Sequence, residues 1–364
     1  MAEIWVLGAT GRGGRGIARE LVAGGSDVVL VGRDADRLAG LAGSLTPAGP
    51  GGVRLLVASG LSQVVELISR EGPSVVVNTI GPFTKTSVPV ARACLGAGSH
   101  YVDLANELGP VHDLLGLHEA AIVAGITMVT GAGFGVLATE ALVVELRADR
   151  EPAVRARVAA MPSVEALGPA VLASFIDAIA AGGRRYRDGQ LVSTRLGSDL
   201  ERISLPDGRV LDAIGVPTGE LEAAQRGSGA GDVIAFSSEV PSGRIIRRLL
   251  PAVSALLAKD RIRIGLQGLV SRLRLTPPAR SGDTSWAYAR LEWADGTQRE
   301  AWLHTGEGYQ FTAQVAAQVA ARSLSGVHRR GAYTPAALFG SDLVRQVGGE
   351  IITQSANPLR HSSQ

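Results

Sequence analysis

The stretch "GATGRGGRG", residues 8–16, packs five glycines into nine positions directly behind the short apolar run "IWVL" at 4–7. It reads in two registers. Gly11, Gly13 and Gly16 spell a literal G-x-G-x-x-G dinucleotide fingerprint, whereas Gly8, Gly11 and Gly14 form a looser spacing beginning three residues earlier. The first glycine of a phosphate-binding turn belongs where the strand stops and the chain swings toward a helix. Leu7 ends the apolar run, so Gly8 holds that place and the literal register leaves slack. In the Gly8 register, Gly8 makes the turn, Gly11 lets the backbone approach a pyrophosphate and Gly14 permits close helix–strand packing. Thr10, Arg12 and Gly13 fill the same turn. The amides that open the following helix would face the phosphates. No G-K-[ST] follows, so a nucleotide-hydrolysing P-loop is not supported.

Outward from this turn, the first 130 residues alternate between β-branched apolar runs and helical periodicity. Strands are expected at 4–7, 28–31, 53–57, 74–79, 101–104 and 126–130. Helices are expected behind the turn (Ile17, Leu21 and Val22 on one face), after Asp34 as N-cap, and at 61–69, 88–95 and 111–124. Six near-continuous apolar strands separated by helices imply an α/β fold, a doubly wound parallel Rossmann sheet covered on both faces. The pattern changes near residue 131. Beyond it lie a strand at 154–159, a helix at 170–181, Asp-Gly hairpin signals in "RDGQL" and "PDGRV", and a hairpin pairing 286–293 with 298–304. This second part reads as an α+β domain with a mainly antiparallel sheet. A helix at 311–323 is expected to return to the first domain. The domain reading is therefore 1–135 for the cofactor, 136–305 for substrate and oligomerisation, and 306–364 for C-terminal helices returning to the Rossmann domain. Gly/Ser/Pro-rich loops are expected at 45–52 and 226–231, and a frayed tail from about residue 355.

The end of the second strand selects the cofactor. An NAD site usually places an acid there to accept from the ribose 2′-hydroxyl. Here the strand ends in Gly32-Arg33, with Asp34 one position late. Arg33 can pair with a 2′-phosphate and stack on adenine, with Arg37 one helical turn on. NADP(H) is the expected cofactor.

The chain is 46% hydrophobic and 19% charged, a globular balance, and its formal net charge of +2 gives no global field for nucleic acid. The lone Cys94 excludes an internal disulfide, and the histidines at 100, 112, 118, 304, 328 and 361 show no metal-ligand spacing. No H-E-x-x-H or G-x-S-x-G occurs. Only Lys85 and Lys259 are available for lysine chemistry. The start "MAEIW" has no basic n-region, and a soluble, cytoplasmic homodimer is expected.

"GATGRGGRG" with "VGRDADRL", "NTIGPF" at 78–83, "GSHYVDLANE" at 98–107 and "GAGFGVLATEAL" at 131–142 together resemble the saccharopine dehydrogenase-like reductases. "TGEGYQFTAQVAAQVAARSL" at 305–324 and "GAYTPAALFG" at 331–340 resemble their trans-acting enoyl reductase branch. The resemblance is dense over 3–142, thin from 150 to 300, and returns over 305–340. It implies an NADP-binding Rossmann domain and a second α/β domain covering the nicotinamide. Thr79, Gly81, Pro82 and Phe83 would then line the pyrophosphate and nicotinamide. The chain departs from the pattern at Ala58-Ser59, Asn106, Ala138 and "MPSVEALGPAV".

Hydride transfer needs a positioned double bond and a proton source, because the cofactor carries the reaction. Tyr101 and Asp103 leave the fifth strand on one face, close to Glu107, and either can donate a proton if its pKa suits. Lys85, just after "GPF", and Tyr309, before the returning helix, are the other candidates. For each, a structural or surface role is the competing reading. The expected function is an NADPH-dependent reductase of an activated C=C or C=N bond in a small or acyl-carrier-bound substrate. The alternatives are a saccharopine-type reductase making a secondary amine, with Arg184, Arg185 and Arg187 clamping carboxylates, and a non-catalytic NADP-binding sensor or scaffold. Finally, residues 244–274 carry Arg244, Arg247, Arg248, Lys259, Arg261, Arg263, Arg272 and Arg274 against Asp260 alone, on an apolar helical pattern. This segment is expected either to touch an acidic partner or anionic lipid, or to pack in the core with a solvated basic face.

Overall fold

The computed structural model describes residues 2–47, 51–163, 176–240, 242–270, 284–325 and 329–355. The chain divides into two units, the first comprising Met1–Ala105, Gly109–Gly133 and Tyr309–Leu338, and the second Asn106–Leu108, Phe134–Gly308 and Phe339–Gln364.

In the first unit, β1 (Glu3–Leu7), β2 (Asp27–Gly32), β3 (Val53–Val57), β4 (Val75–Asn78), β5 (His100–Asp103), β6 (Thr127–Val129) and β15 (Gly331–Tyr333) form one sheet. Its order is β15-β6-β5-β4-β1-β2-β3, and every ladder is parallel. Ile4, Trp5, Val6, Leu7, Val75, Val76 and Val77 are fully buried, as expected of central strands covered on both faces. The order reverses between β1 and β4, and the glycine turn sits at that switch point. The helices are α1 (Arg12–Ala23), α2 (Ala35–Gly43), α3 (Leu61–Glu71), α4 (Phe83–Ala97), α5 (Leu108–Leu115) and α6 (His118–Val123), with Leu108 itself grouped in the second unit.

Two expectations change here. The helix expected at 88–95 begins at Phe83, because Pro82 serves as its N-cap and the chain tolerates Pro89 inside it. The helix expected at 111–124 is two helices, broken where the amides of Gly116 and Leu117 turn back onto His112 and Leu114.

The second unit holds a nine-stranded mixed sheet, ordered β10-β11-β12-β7-β13-β14-β16 with a β8–β9 hairpin attached through β12. The strands are β7 (Arg155–Met161), β8 (Gly183–Arg187), β9 (Gln190–Thr194), β10 (Leu200–Ser204), β11 (Val210–Gly215), β12 (Asp232–Ser237), β13 (Ser285–Glu292), β14 (Gln298–Thr305) and β16 (Glu350–Ser355). Among the described residues, only β7–β12 is parallel within it. The two Asp-Gly signals and the Asp295-Gly296 turn of the expected 286–304 hairpin each close a hairpin, with Gly189, Gly208 and Gly296 at positive φ. Alternation along β13 puts Trp286 and Tyr288 into an aromatic cluster with Trp302 and Phe236, while Ala287, Ala289 and Leu291 are buried on the other face. Helices α7 (Phe134–Arg147) and α8 (Glu220–Ser228) pack on each other and on this sheet. The loop expected at 226–231 begins only after Ser228, where Gly229 ends α8 in a left-handed C-cap.

Two more helices, α9 (Arg244–Leu257) and α10 (Asp260–Val270), precede β13. After β14, α11 (Gly308–Leu324) supplies the strong helix expected at 311–323 and, from Tyr309, belongs with the first unit, as does β15. The C-terminal reading needs correction beyond that. Helix α12 (Pro335–Phe339) lies in the first unit up to Leu338; from Phe339 the chain belongs with the second unit, through α13 (Asp342–Gln346) and β16, because β16 pairs antiparallel with β14. Of the helix expected at 170–181, residues 176–180 are helical and 170–175 lie outside the described residues; most of the "MPSVEALGPAV" motif, Arg272, Arg274 and the tail beyond residue 355 lie outside them too.

Candidate cofactor site

The glycine turn resolves its own register. Gly8 has φ +71°, a left-handed conformation that L side chains rarely adopt. Its amide and that of Ala9 both donate to the carbonyl of Val31, at 2.9 and 3.1 Å, tying the turn to β2. Gly11 is the N-cap of α1 and its amide donates to the Gly8 carbonyl at 2.9 Å. A Cβ at Gly14 would lie 2.4 Å from the Gly8 carbonyl oxygen and 2.8 Å from the Ala9 Cα, so only glycine fits. At Gly13 a Cβ would meet the Leu104 side chain at an ordinary 3.5 Å. Gly16, left spare by the sequence reading, has a separate task. A Cβ there would meet Ala313 Cβ at 2.9 Å, so it lets α11 approach α1. No side chain caps α1 and no acid lies in its first turn, which leaves its positive end suited to a phosphate.

At the end of β2, Asp34 accepts from the Arg37 amide at 3.0 Å and caps α2. The carboxylate is thus engaged in its helix, and Arg33, exposed and with no ion pair among the described residues, stands at the position that selects the ribose substituent. The Arg37 guanidinium reaches the Thr10 carbonyl at 3.5 Å, so the β2 end and the glycine turn are neighbours. Thr79 stitches β4 to β1, its hydroxyl donating to the Leu7 carbonyl at 2.7 Å, beneath Gly8. Gly81 is exposed and is joined to Pro82 by a cis peptide, and Phe83 packs against Ala105, Val111 and Leu115. Lys85 is exposed in the first turn of α4. Arg12 lies with its guanidinium 3.9 Å from the centre of the Tyr309 ring, so the opening of α1 and the start of α11 meet beside the turn.

Tyr101 and Asp103 occupy a different place from the one expected of proton donors. Both are fully buried. Asp103 Oδ2 accepts from the Tyr101 and Ser87 hydroxyls, each at 2.9 Å. Its Oδ1 accepts from the Thr130 hydroxyl at 2.8 Å and from the amides of Ala105 and Gly131 at 3.1 Å. Asn78 adds its amide to Tyr101 Oη at 3.2 Å. Burial pushes the Asp103 carboxyl upward against the pull of these donors, and burial with the Asp103 charge raises the Tyr101 phenol well above its usual value. The geometry is that of a knot binding β4, α4, β5 and the turn after β6 together at the ligand-binding edge. Asn78, Ser87 and Thr130 escaped the sequence reading; Asn78 stood in the quoted "NTIGPF", but no local spacing ties it to Asp103.

The second unit carries a polar cluster of which the sequence reading named only Asn106 and Glu107. Glu107, which forms a bridge with Thr218, accepts from the Asn106 amide at 3.1 Å. Gly135, at the start of α7, leaves room for Asn106 Oδ1 and Glu220 Oε1, which would lie 2.6 and 2.9 Å from a Cβ placed there. Glu220 Oε2 is buried and has no hydrogen-bond partner among the described residues, and burial raises the Glu220 pKa against the hydrogen bonds from Thr218 and Asn106. Burial and then the Glu220 charge push Glu239 up to about 7. The three arginines considered as carboxylate clamps do not converge. Arg185 pairs with Asp199 at 3.3 Å, Arg184 bonds Ser193, and Arg187 lies exposed at the end of β8.

A parallel sheet with a glycine turn at its switch point defines a dinucleotide-binding protein of the Rossmann class. The match to known families is more specific. Residues 4–129 match the saccharopine dehydrogenase NADP binding domain. The chain is 30% identical over 147 residues to the trans-acting enoyl reductase of Mycobacterium tuberculosis strain H37Rv, covering 40% of this chain and 35% of that protein. It is 31% identical over 136 residues to the trans-acting enoyl reductase of Mycobacterium leprae. The matched stretch spans about a third of the length of these relatives. The saccharopine dehydrogenase (L-Glu forming) of Saccharomyces cerevisiae shares the fold, with a TM-score of 0.57 at 14% identity over 97% of this chain and all of that one.

Proposed function

We propose that this protein is an NADPH-dependent reductase that delivers hydride to an activated double bond, in the first instance the C=C of an enoyl group on a small or carrier-bound substrate. The observation that carries the cofactor choice is the exposed Arg33 at the end of β2, without an ion pair among the described residues, beside a turn that only glycine can build. The enoyl reductase relatives weight C=C over C=N. When bound, NADPH supplies the hydride. The chain's own tasks follow from its geometry. The opening of α1 holds the pyrophosphate, while Arg33 and Arg37 hold the 2′-phosphate. The Asp103 knot fixes the β4 and β5 ends. Because Tyr101 and Asp103 are sealed inside that knot, the accessible proton-donor candidates are Tyr309 and Lys85. The test is to titrate the protein with NADPH and then follow NADPH absorbance with an enoyl thioester and, separately, with a preformed imine. Oxidation with the thioester supports the reading. Oxidation with the imine alone overturns C=C reduction, and tight NADPH binding without turnover on either leaves a cofactor-binding sensor as the better account.

A further inference from the structure

Helices α9 and α10 do not behave like surface helices of a protein finished by its own core. On α9, Leu250, Ser254 and Leu257 face inward and are buried. Ile245, Leu249, Val253 and Leu256 do not, and they are 75, 56, 40 and 50% exposed. At about 3.6 residues per turn the apolar positions of α9 cover roughly half its circumference, and only the Leu250–Ser254–Leu257 edge of that arc packs on the protein. Arg244 and Arg248 flank the exposed arc on its solvent side, both exposed. On α10 no residue is buried at all. Its i, i+4, i+7 stripe of Ile262, Leu266 and Leu269 is 37, 37 and 60% exposed, and Ile264 on the other side is 51% exposed. An isolated helix of this length is marginal in water, and one with no fully buried side chain gains little packing to hold it. Arg263 anchors α10 through Asp177 at 3.4 Å, which fixes its place without covering its apolar side chains.

Charge points to the missing cover. Residues 244–270 carry six cations and the single carboxylate Asp260, in a chain whose whole net charge is +2. Arg244, Arg248, Lys259 and Arg261 are all exposed. A docking helix from an acidic protein would cover one stripe. Here apolar side chains emerge from α9 over a wide arc and from both sides of α10, which suits insertion into a continuous apolar medium bordered by anions. Among the described residues no helix is long and apolar enough to cross a membrane. A pair of helices lying in the interface plane requires no such span.

We infer that α9 and α10 form a membrane-surface anchor, seating their apolar arcs at the headgroup boundary of an anionic bilayer while their arginines and Lys259 meet the lipid phosphates. Binding needs no cofactor and no turnover, so it can fail or hold independently of the reductase reading. The experiment is co-sedimentation of the full chain with phosphatidylcholine vesicles and with vesicles containing one quarter phosphatidylglycerol. The protein is expected to pellet with the anionic vesicles and to bind the neutral ones far more weakly. Each cation near an anionic surface is worth about fivefold in partition. Arg248→Glu with Lys259→Glu should therefore lose at least about 25-fold on anionic vesicles. Leu249→Glu with Leu256→Glu should abolish binding to both, with thermal midpoints unchanged because these positions are exposed. Leu191→Glu, an exposed apolar position on β9, is the control and should bind as the parent does. Failure of the parent chain to pellet with anionic vesicles at low salt overturns the inference. So does equal binding by the helix variants, or capture by an acidic carrier protein with no vesicle binding.

Discussion

Replacing Gly14 with alanine is the sharpest perturbation of the glycine turn, because the two registers disagree about it. In the literal register, Gly11, Gly13 and Gly16 are the fingerprint and Gly14 is a bystander. In the structure the added methyl would stand 2.4 Å from the Gly8 carbonyl oxygen and 2.8 Å from the Ala9 Cα. Both are backbone atoms, so no rotamer change relieves the overlap. Normal carbon–carbon contact needs roughly 3.5 Å or more, so α1 must move off the turn by the better part of an ångström. Overpacking of this kind costs about 1–3 kcal/mol. It would also pull the first amides of α1 from their place at the phosphate, so a 10- to 100-fold loss of NADPH affinity is expected, on the order of 1.4–2.7 kcal/mol. At Gly13 the same methyl would meet only the end of Leu104, at 3.5 Å, and Gly13→Ala should change affinity less than about threefold, below 1 kcal/mol. The assay is calorimetric titration of both variants with NADPH beside thermal unfolding. Normal binding by Gly14→Ala with loss in Gly13→Ala would refute the Gly8 register and restore the literal one.

Three further outcomes follow from the same geometry. Asp103→Asn puts a donor into a carboxylate site where three hydroxyls and two amides already donate, so roughly 2–4 kcal/mol of stability should be lost, read as a lowered denaturant midpoint; a change below about 0.5 kcal/mol would discredit the knot. Glu239 is held protonated toward pH 7, above its ordinary value near 4.5, so its contribution to stability is fully present below about 4.5 and is lost as pH rises to about 7. Glu239→Gln should flatten the stability-versus-pH profile between those limits, and an unchanged slope would remove the group from it. Asp34→Ala deletes the α2 cap and should cost about 1 kcal/mol while sparing NADPH preference; a shift toward NADH would mean that Asp34 touches the ribose after all.

The first domain was readable because its signals are local. A strand ending at Leu7, a glycine directly after it and a stripe at Ile17, Leu21 and Val22 each speak for themselves within a few residues. Asp34 as a cap and Arg33 at the strand end needed nothing beyond their neighbours. What stayed hidden depends on distance along the chain. The partners of Asp103 come from Ser87, Tyr101 and Thr130 on three elements, and only the parallel order of β4, β5 and β6 brings them to one carboxylate. Gly16 looked spare because its counterpart, Ala313, lies in a helix some three hundred residues later. The start of α4 was missed because "PFTKTSVP" has little apolar period and contains a proline. The return of the C-terminal strand to the second sheet rests on pairing between β16 and β14, and a helix-by-helix reading carries no information on that. Glu220 and Glu239 sit where the family resemblance was thinnest, and single acids in such a stretch have no spacing to mark them.

An NADP-specific site selected by Arg33 is tested most plainly by direct titration of both cofactors. A charge-assisted contact to the 2′-phosphate is worth about 1.5–3 kcal/mol. The account predicts that NADPH binds roughly ten- to a hundredfold more tightly than NADH, and that Arg33→Ala erases most of this preference while leaving NADH affinity nearly unchanged. Equal affinities in the parent protein, or equal losses for both cofactors in Arg33→Ala, would contradict it.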